Sequence, residues 1–582
     1  MKKVAELPVI YQDDPAKFIA NLWNRSHMNM QGKINEWLEL RNYIFATDTR
    51  TTSNNTLPWK NSTTTPKICQ IRDNLHSNYI SSLFPNDQWL SWEAYTKDAA
   101  KKEKAKVIEG YMENKCREGH FRTEISKCVY DYIDYGNAFV IPSFESNYKT
   151  LADGSKLPSF IGPRANRISP LDMAFDHLAP SFAESWKIIR SVRGIGELQR
   201  LALDQPENSF WKKALENRDL IRRNYGGYSY EDFQKFCGFQ ADGFMNMYDY
   251  FMGNQMEVLE FYGDYYNKTT NELETERLIT VVDRCHTVRD EQIPTWFGGA
   301  PIYHVGWRFR QDNIWAMGPL DNLVGMQYRI DHLENAKADA FDLVIQPPLL
   351  IAGDVEQFVW GPSAEIHVME GGSVTPLSAN MNAVITATNE ISSLEDKMEL
   401  YAGAPRDAMG IRTPGEKTAF EVNTLMTAAG RIFQEKATNF EVELLEPLLN
   451  GMLEIARRNL DGSDVIRVMD TEYNAQEFLT VTQEDITAAG IIRPVGARHF
   501  AKQQQDLQNL VGVFNSPLGA MLQPHTSALA IADFVNQIIG LKAYQIFAPN
   551  IGIEEQHNTQ AAVNQSQEDL QVQQQVKTPP GL

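Results

Sequence analysis

PLDNLVGMQYRIDHLENAKADAFDLVIQPP, residues Pro319 to Pro348, reads as one long helix with a marked start and a marked stop. Asp321 falls in its first turn, where a carboxylate complements the positive end of the helix dipole. Gln346-Pro347-Pro348 enforces the stop, because proline lacks the N–H that would continue the ladder and its ring clashes with the preceding turn. Ala336, Ala338 and Ala340 give the helix a thin side that admits close neighbours. Short apolar runs separated by Gly and Pro come next (LLIAG, QFVW, EIHVM), the pattern of a small β-rich module over 349–379. A second helix is expected over 380–401, with Val384, Thr388, Ile391, Leu394 and Met398 on one face. Two helices flanking a small β module make a stalk with a knob.

A polar loop, 402–413, leaves the second helix, and just beyond it the stretch GIRTPGEKT (Gly410–Thr418) imitates a nucleotide-binding loop. A P-loop needs Lys directly after the second Gly, so that backbone amides and ammonium converge on phosphate. Glu416 stands at that place, putting a carboxylate into a nest meant for an anion. The stretch encodes a helix start instead: Thr413 as N-cap, Pro414 at the first helical position and Glu416 completing a capping box. The helix beginning there is expected to run to about Leu460, about 70 Å at 1.5 Å per residue, with kinks at Gly430 and Pro447.

The 582 residues suffice for roughly three or four domains, and 43% hydrophobic content is ordinary for a globular chain. A formal net charge of -20 argues against a protein that grips DNA by broad phosphate neutralisation. It leaves room for one that surrounds DNA without holding it. Cys69, Cys116, Cys128, Cys237 and Cys285 form no C-x-x-C pair, which predicts free thiols and no zinc site. No apolar run approaches a membrane span, and no apolar leader succeeds MKKVAELPVIYQDD, so an unexported polypeptide without membrane contact is expected.

Upstream, helices are expected over Asp14–Phe45, Lys67–Phe84 and Ala99–Tyr135, with the Ser/Thr/Asn-rich stretch between the first two read as a loop. From Gly136 the pattern becomes strand-like: NAFVIPSFE, PSFIGPRANRIS and WKIIRSVRG, then Met256–Tyr265, Leu278–Asp290 and Pro301–Arg310. Helix is expected over 195–235. DVIRVMD (Asp464–Asp470) reads as a strand and the rest as helical (Arg498–Phe514 and Ser527–Phe547), and the Gln-rich end from about Glu554 lacks the apolar content for a packed core. The class is α+β, predominantly helical.

No catalytic constellation stands out. Asp131 and Asp134, at helical spacing beside Tyr132 and Tyr135, are expected on a solvated face. Cys285 and His286 are adjacent in a strand, so they point to opposite faces and cannot act as nucleophile and base. The eleven histidines show no H-x-x-x-H spacing, so neither a metal nor another cofactor is expected. Trp89, Trp92 and Tyr95 in NDQWLSWEAYT could stack bases, but in an acidic chain they are expected in a core or subunit interface.

The order of elements resembles a portal protein, the head-to-tail connector of tailed bacteriophages, of the short-tailed kind. MGPLDNLVGMQYRIDHLENAKADAF resembles the first stem helix, PPLLIAGDVEQFVWGPSAEIHVMEGGSVTPL the clip and NMNAVITATNEISSLEDKMELY the second stem helix. AGAPRDAMGIRTPGEKTAFEV is similar to the tunnel loop with the start of its kinked helix, and DYIDYGNAFVIP to part of the wing. The resemblance divides the chain into an N-terminal region and wing (1–317), first stem helix (318–348), clip (349–379), second stem helix (380–401), tunnel loop (402–413), long kinked helix and wing return (414–497), helical crown (498–553) and a disordered tail (554–582).

The resemblance implies a ring-forming homo-oligomer, usually of about twelve copies, at the head-tail vertex of a virion and made in the host cytoplasm. Double-stranded DNA would pass through its channel during packaging and ejection, so no enzymatic activity is expected of the chain itself. The partners implied are the major capsid protein, scaffolding protein, terminase large subunit and tail adaptor. Arg406, Arg412 and Lys417 would meet phosphates transiently at the constriction, and Met409 and Ile411 would pack between neighbours. Asp354, Glu356, Trp360 and Glu365, in the clip, would face the packaging motor and later the adaptor. A nucleotide-driven enzyme and a structural capsid or tail subunit without a DNA channel are the alternatives.

Overall fold

Gly136 and Gly318, where the sequence changes character, meet backbone to backbone. A Cβ on Gly136 would lie 2.4 Å from the amide nitrogen of Gly318, and one on Gly318 would lie 2.8 Å from the carbonyl of Ile133. Gly136 also has φ +70, a conformation that a Cβ disfavours. The computed structural model in which this is seen describes residues 14–45, 61–84, 89–95, 100–150, 156–204, 211–216, 255–267, 272–353, 371–376, 381–403, 432–460 and 463–494, with short breaks at 62, 177, 285, 346, 471–474 and 488.

Among the described residues the helices of ten residues or more are, in chain order, α1 (Pro15–Phe45), α2 (Lys67–Leu83), α3 (Ala100–Glu118), α4 (Phe121–Asp134), α5 (Ile195–Asp204), α6 (Val324–Ile345), α7 (Met381–Tyr401) and α8 (Glu446–Asn459). The strands are β1 (Leu90–Ala94), β2 (Asn137–Thr150), β3 (Lys156–Ile168), β4 (Met173–Phe175), β5 (Lys187–Gly194), β6 (Gln255–Asn267), β7 (Glu272–Val282), β8 (His286–Gln292), β9 (Tyr303–Gly306), β10 (Arg308–Arg310), β11 (Asn313–Met317), β12 (Leu349–Ala352), β13 (Ser373–Pro376), β14 (Ser463–Asp470), β15 (Ala475–Thr482) and β16 (Gly490–Pro494). The fold is α+β, and helix outweighs strand among the described residues.

The chain divides into two compact units, Met1–Phe84 with Lys115–Asn459, and Pro85–Asn114 with Leu460–Leu582. In the first, an antiparallel sheet of order β4-β5-β6-β7-β8 stands beside a three-stranded sheet of order β3-β2-β9. Helix α1, about 46 Å long, serves two cores. Ile19 and Trp23 pack with Ile188, Phe261 and Ile279 of the larger sheet. Further along, Ile34 and Trp37 join Phe139, Phe175 and Trp315. The second centre is strongly aromatic: Phe175 stacks on Trp315 at 4.6 Å, and Phe139 stacks on His304 at 4.5 Å. Burial lowers the His304 imidazole to about 3, so it is a neutral core ring whose Nε2 meets the Asn137 side-chain oxygen at 3.0 Å.

In the second unit, β1 pairs antiparallel with β16 and β14 with β15. Trp89 and Trp92 are buried there while Tyr95 is 67% exposed, so the two tryptophans are core residues. The Trp92 ring lies where a Cβ on Gly490 would come within 2.4 Å, and its amide donates to Glu109 at 2.6 Å.

Several expectations are corrected. The helix expected over Ala99–Tyr135 is broken at Gly119-His120, where His120 takes φ 56. The strand expected over Leu278–Asp290 is two strands around a tight turn, with Asp283 and Arg284 both at positive φ. Strands β15 and β16 follow Asp470 in a stretch read in general as helical, and the two helices expected there, Arg498–Phe514 and Ser527–Phe547, lie outside the described residues. Asp321 precedes the first α-helical turn of α6 and closes a turn instead, accepting from the Gly318 amide at 3.2 Å. A π-helical turn, Glu441–Leu445, lies just before Pro447, the residue expected to kink the long helix. Widening the turn accommodates a proline ring that a regular helix would drive into the carbonyl four residues back. Gly430 and the regions 498–553 and 554–582 lie outside the described residues.

Candidate functional site: the helical hairpin and its strap

Helices α6 and α7 run as an antiparallel pair joined through β12 and β13, which pair from Leu349↔Pro376 to Ala352↔Ser373. The stop of α6 is where the sequence dictates, at Ile345 before Pro347-Pro348, while its start lies at Val324, after the Asp321 turn. Ile330 and Leu333 of α6 and Val384, Ile391 and Met398 of α7 are buried. Thr388, expected on that face, is exposed and folds its hydroxyl back to the Val384 carbonyl at 3.0 Å. Toward the β end the apolar side chains come out: Phe341, Leu343, Ile345, Leu350, Ile351 and Ile385 are all more than a third exposed, Ile345 by 74%.

The other face of α6 carries a ladder of polar side chains spaced four residues apart, Gln327, Asp331, Asn335 and Asp339. They hold a strap of backbone, Asn61–Lys67. The Ile68 amide donates to the Gln327 oxygen at 3.3 Å, and Gln327 Nε2 donates to the Thr65 carbonyl at 2.6 Å. The Thr65 amide donates to Asp331 at 2.9 Å. The Thr63 amide and hydroxyl both donate to Asn335 Oδ1 at 2.9 Å, and Asn335 Nδ2 donates back to the Thr63 carbonyl at 3.2 Å. Asn61 ends the series on Asp339, at 3.1 Å from its amide and 2.7 Å from its side chain. The register comes from geometry. Four helical residues rise about 6 Å and two extended residues about 6.6 Å, so every second strap residue meets every fourth helix residue.

At the end of the strap, Lys67 Nζ reaches Glu399 in the last turns of α7 at 2.6 Å, both side chains nearly sealed from water. On the α1 side, Lys33 donates to Asp321 at 2.7 Å. Burial pushes the Asp331 carboxyl up to about 6 against its bonds to Thr65 and Gln327, and its Oδ2 has no hydrogen-bond partner among the described residues. The reading of 46–66 as a loop missed this strap, although the four-residue spacing of amide and carboxylate side chains along α6 was a visible signal for it.

None of the nine residues expected to act in the tunnel loop and clip can be placed: Arg406, Met409, Ile411, Arg412, Lys417, Asp354, Glu356, Trp360 and Glu365 all lie outside the described residues. Asp131 and Asp134 are not on a solvated face. Arg167 grips Asp131 with two nitrogens, its Nη2 at 2.6 Å, and Arg72 grips Asp134 at 2.6 and 2.7 Å. The four side chains line a cavity of about 300 Å3 with Trp37, Tyr130 and Tyr135 among its walls. Burial pushes Asp131 up to about 7 and also raises Asp134, while the guanidiniums pull both back down. Cys285 lies outside the described residues, and His286 opens β8. Among the described residues no cluster of three His, Cys, Asp or Glu could hold a metal ion, and no helix is long and apolar enough to cross a membrane.

No family model matches the chain, and no curated protein matches it.

Proposed function

We propose that this chain is a phage portal protein, whose copies form a ring at one capsid vertex and pass double-stranded DNA through its channel. The observation that carries the reading is the helix–β-hairpin–helix arrangement of α6, β12, β13 and α7, with apolar side chains exposed at its β end. On this reading α6 and α7 are the stem, β12 and β13 belong to the clip that docks motor and adaptor, and the loop after Gly403 reaches the channel. A closed cyclic ring is a heterologous assembly, in which one face of each copy must meet a different face of the next. The exposed apolar end supplies material for such contacts. The hairpin helices also carry eight acidic against three basic side chains, a balance that disfavours tight phosphate binding where DNA must slide.

Negative-stain electron microscopy of the purified full chain tests this directly. Rings with an open central hole are expected; fibres, closed shells or discs without a hole refute the reading and favour a structural subunit. The tunnel-loop assignment has its own test. Arg406→Ala with Arg412→Ala should impair DNA packaging or retention, and unchanged packaging and retention would remove those residues from the channel.

A further inference from the structure

We infer that Asn61–Lys67 is a detachable strap, a conformational device that fixes the α6–α7 hairpin while docked and frees it on release. Three features carry this. First, the attachment is polar: the described strap residues Asn61, Thr63, Thr64 and Thr65 are all polar, and Pro66 is exposed. Hydrogen bonds to the strap contribute modestly each, because water replaces them on opening, so the segment can leave without disturbing a hydrophobic core.

Second, docking is concerted. Gln327, Asp331 and Asn335 are 1–2% exposed, and each makes a bond to the strap. A half-released strap would leave one of them buried without its partner, which is worse than either full docking or full release with water admitted. Third, the strap touches both arms of the hairpin. It runs along α6 and ends in the Lys67–Glu399 pair on α7, two residues short of where that helix ends at Tyr401. Opening the ladder therefore loosens the end of α7 from which the chain continues toward Gly403. None of this depends on what the hairpin lines, so it stands apart from the portal reading.

Hydrogen exchange by mass spectrometry on the full chain tests it, comparing the native sequence with Thr65→Pro and with Asn335→Leu. The first removes the amide that donates to Asp331 from the strap side and leaves α6 untouched; the second removes the Thr63 contacts from the helix side. In both variants, exchange over 60–68 and over 396–403 should rise together by about tenfold or more, the factor expected when bonds of this strength are lost. Exchange over α1 and the middle of α6 should not move. A rise confined to 60–68 would show that the strap does not couple to α7. A rise in all segments together would show global loosening without a device, and no rise at all would show that the ladder does not hold the strap. Each of these three results overturns the inference. An absence of rings under the microscope would leave it intact.

Discussion

Replacing Lys67 by Met should destabilise the hairpin far more than replacing Lys67 and Glu399 together. The Lys67 and Glu399 side chains are 6% and 4% exposed and 2.6 Å apart, with Gln70 as a further acceptor for the ammonium at 3.2 Å. Removing Lys67 takes the ion-pair partner from a buried carboxylate, a change that costs about 3–5 kcal/mol. Replacing both, as Lys67→Met with Glu399→Leu, removes the desolvation of two ions along with their attraction. That exchange is commonly neutral or stabilising by about 1–4 kcal/mol. The two single variants and the double variant form a cycle whose coupling energy should be at least about 2 kcal/mol. Denaturant unfolding, followed at the amides of 392–401 by exchange so that only the local transition is read, measures each corner. If Lys67→Met costs less than about 1 kcal/mol, the pair behaves as a surface ion pair and its burial has no energetic consequence. If the double variant costs as much as the two singles added, the two side chains are not coupled, and the reasoning fails at its root.

Asp331→Asn should match or exceed the native protein in stability at pH 8 and lose that advantage by pH 5. Burial raises the native carboxyl to about 6, so the folded state binds the proton more tightly than the unfolded chain; native stability is greatest below the unfolded pKa and falls as pH rises through 6. Thermal melts of both proteins across that range check it. Lys187 has the opposite sign. Its buried ammonium, donating to the Ala183 and Ser185 carbonyls at 3.2 and 2.9 Å, is lowered to about 8, so native stability should gain up to about 3 kcal/mol as pH rises from 8 to 10.5. Lys187→Met should abolish that rise in parallel melts. Gly136→Ala should cost more than about 2 kcal/mol, since it combines a disfavoured backbone angle with a clash against Met317 and Gly318; a melt within a degree of the native protein would contradict the packing described.

Local chemistry announced the elements whose ends depend on a single residue. Pro347-Pro348 stops α6 because proline cannot do otherwise, and the glycines at 136 and 318 mark changes of structure because their backbones touch. The turn at Asp283-Arg284 gave no such notice. Two positive-φ residues usually signal themselves as Asn-Gly or Asp-Gly; here the Arg284 side chain reaches Glu257 at 2.8 Å and Asn24 at 2.6 Å, and tertiary bonds stand in for turn propensity. The strap was illegible in its own residues, and its signal lay on the partner helix, in the four-residue spacing of Gln327, Asp331, Asn335 and Asp339. A Ser/Thr/Asn-rich segment looks like loop because it has no periodicity of its own, and its order is borrowed from α6. Asp131 and Asp134 misled in the other direction. Helical spacing puts them on one face, but only the fold reveals that Arg72 from α2 and Arg167 from β3 arrive at that face.

The net charge must also be apportioned before it is used. An acidic chain suits a DNA channel, but several hairpin carboxylates are already engaged. Asp331, Asp339 and Asp342 accept from the strap, Glu399 from Lys67, and Glu390 pairs with Arg329. These acids hold the hairpin in register, and the excess of -20 cannot all be counted as field in a pore. A charge-reversal scan read by salt dependence separates the two roles. Neutralising a register acid should change local exchange at any ionic strength, whereas, on the proposed portal reading, neutralising an acid that faces the channel should change DNA passage and lose its effect as salt shortens the Debye length.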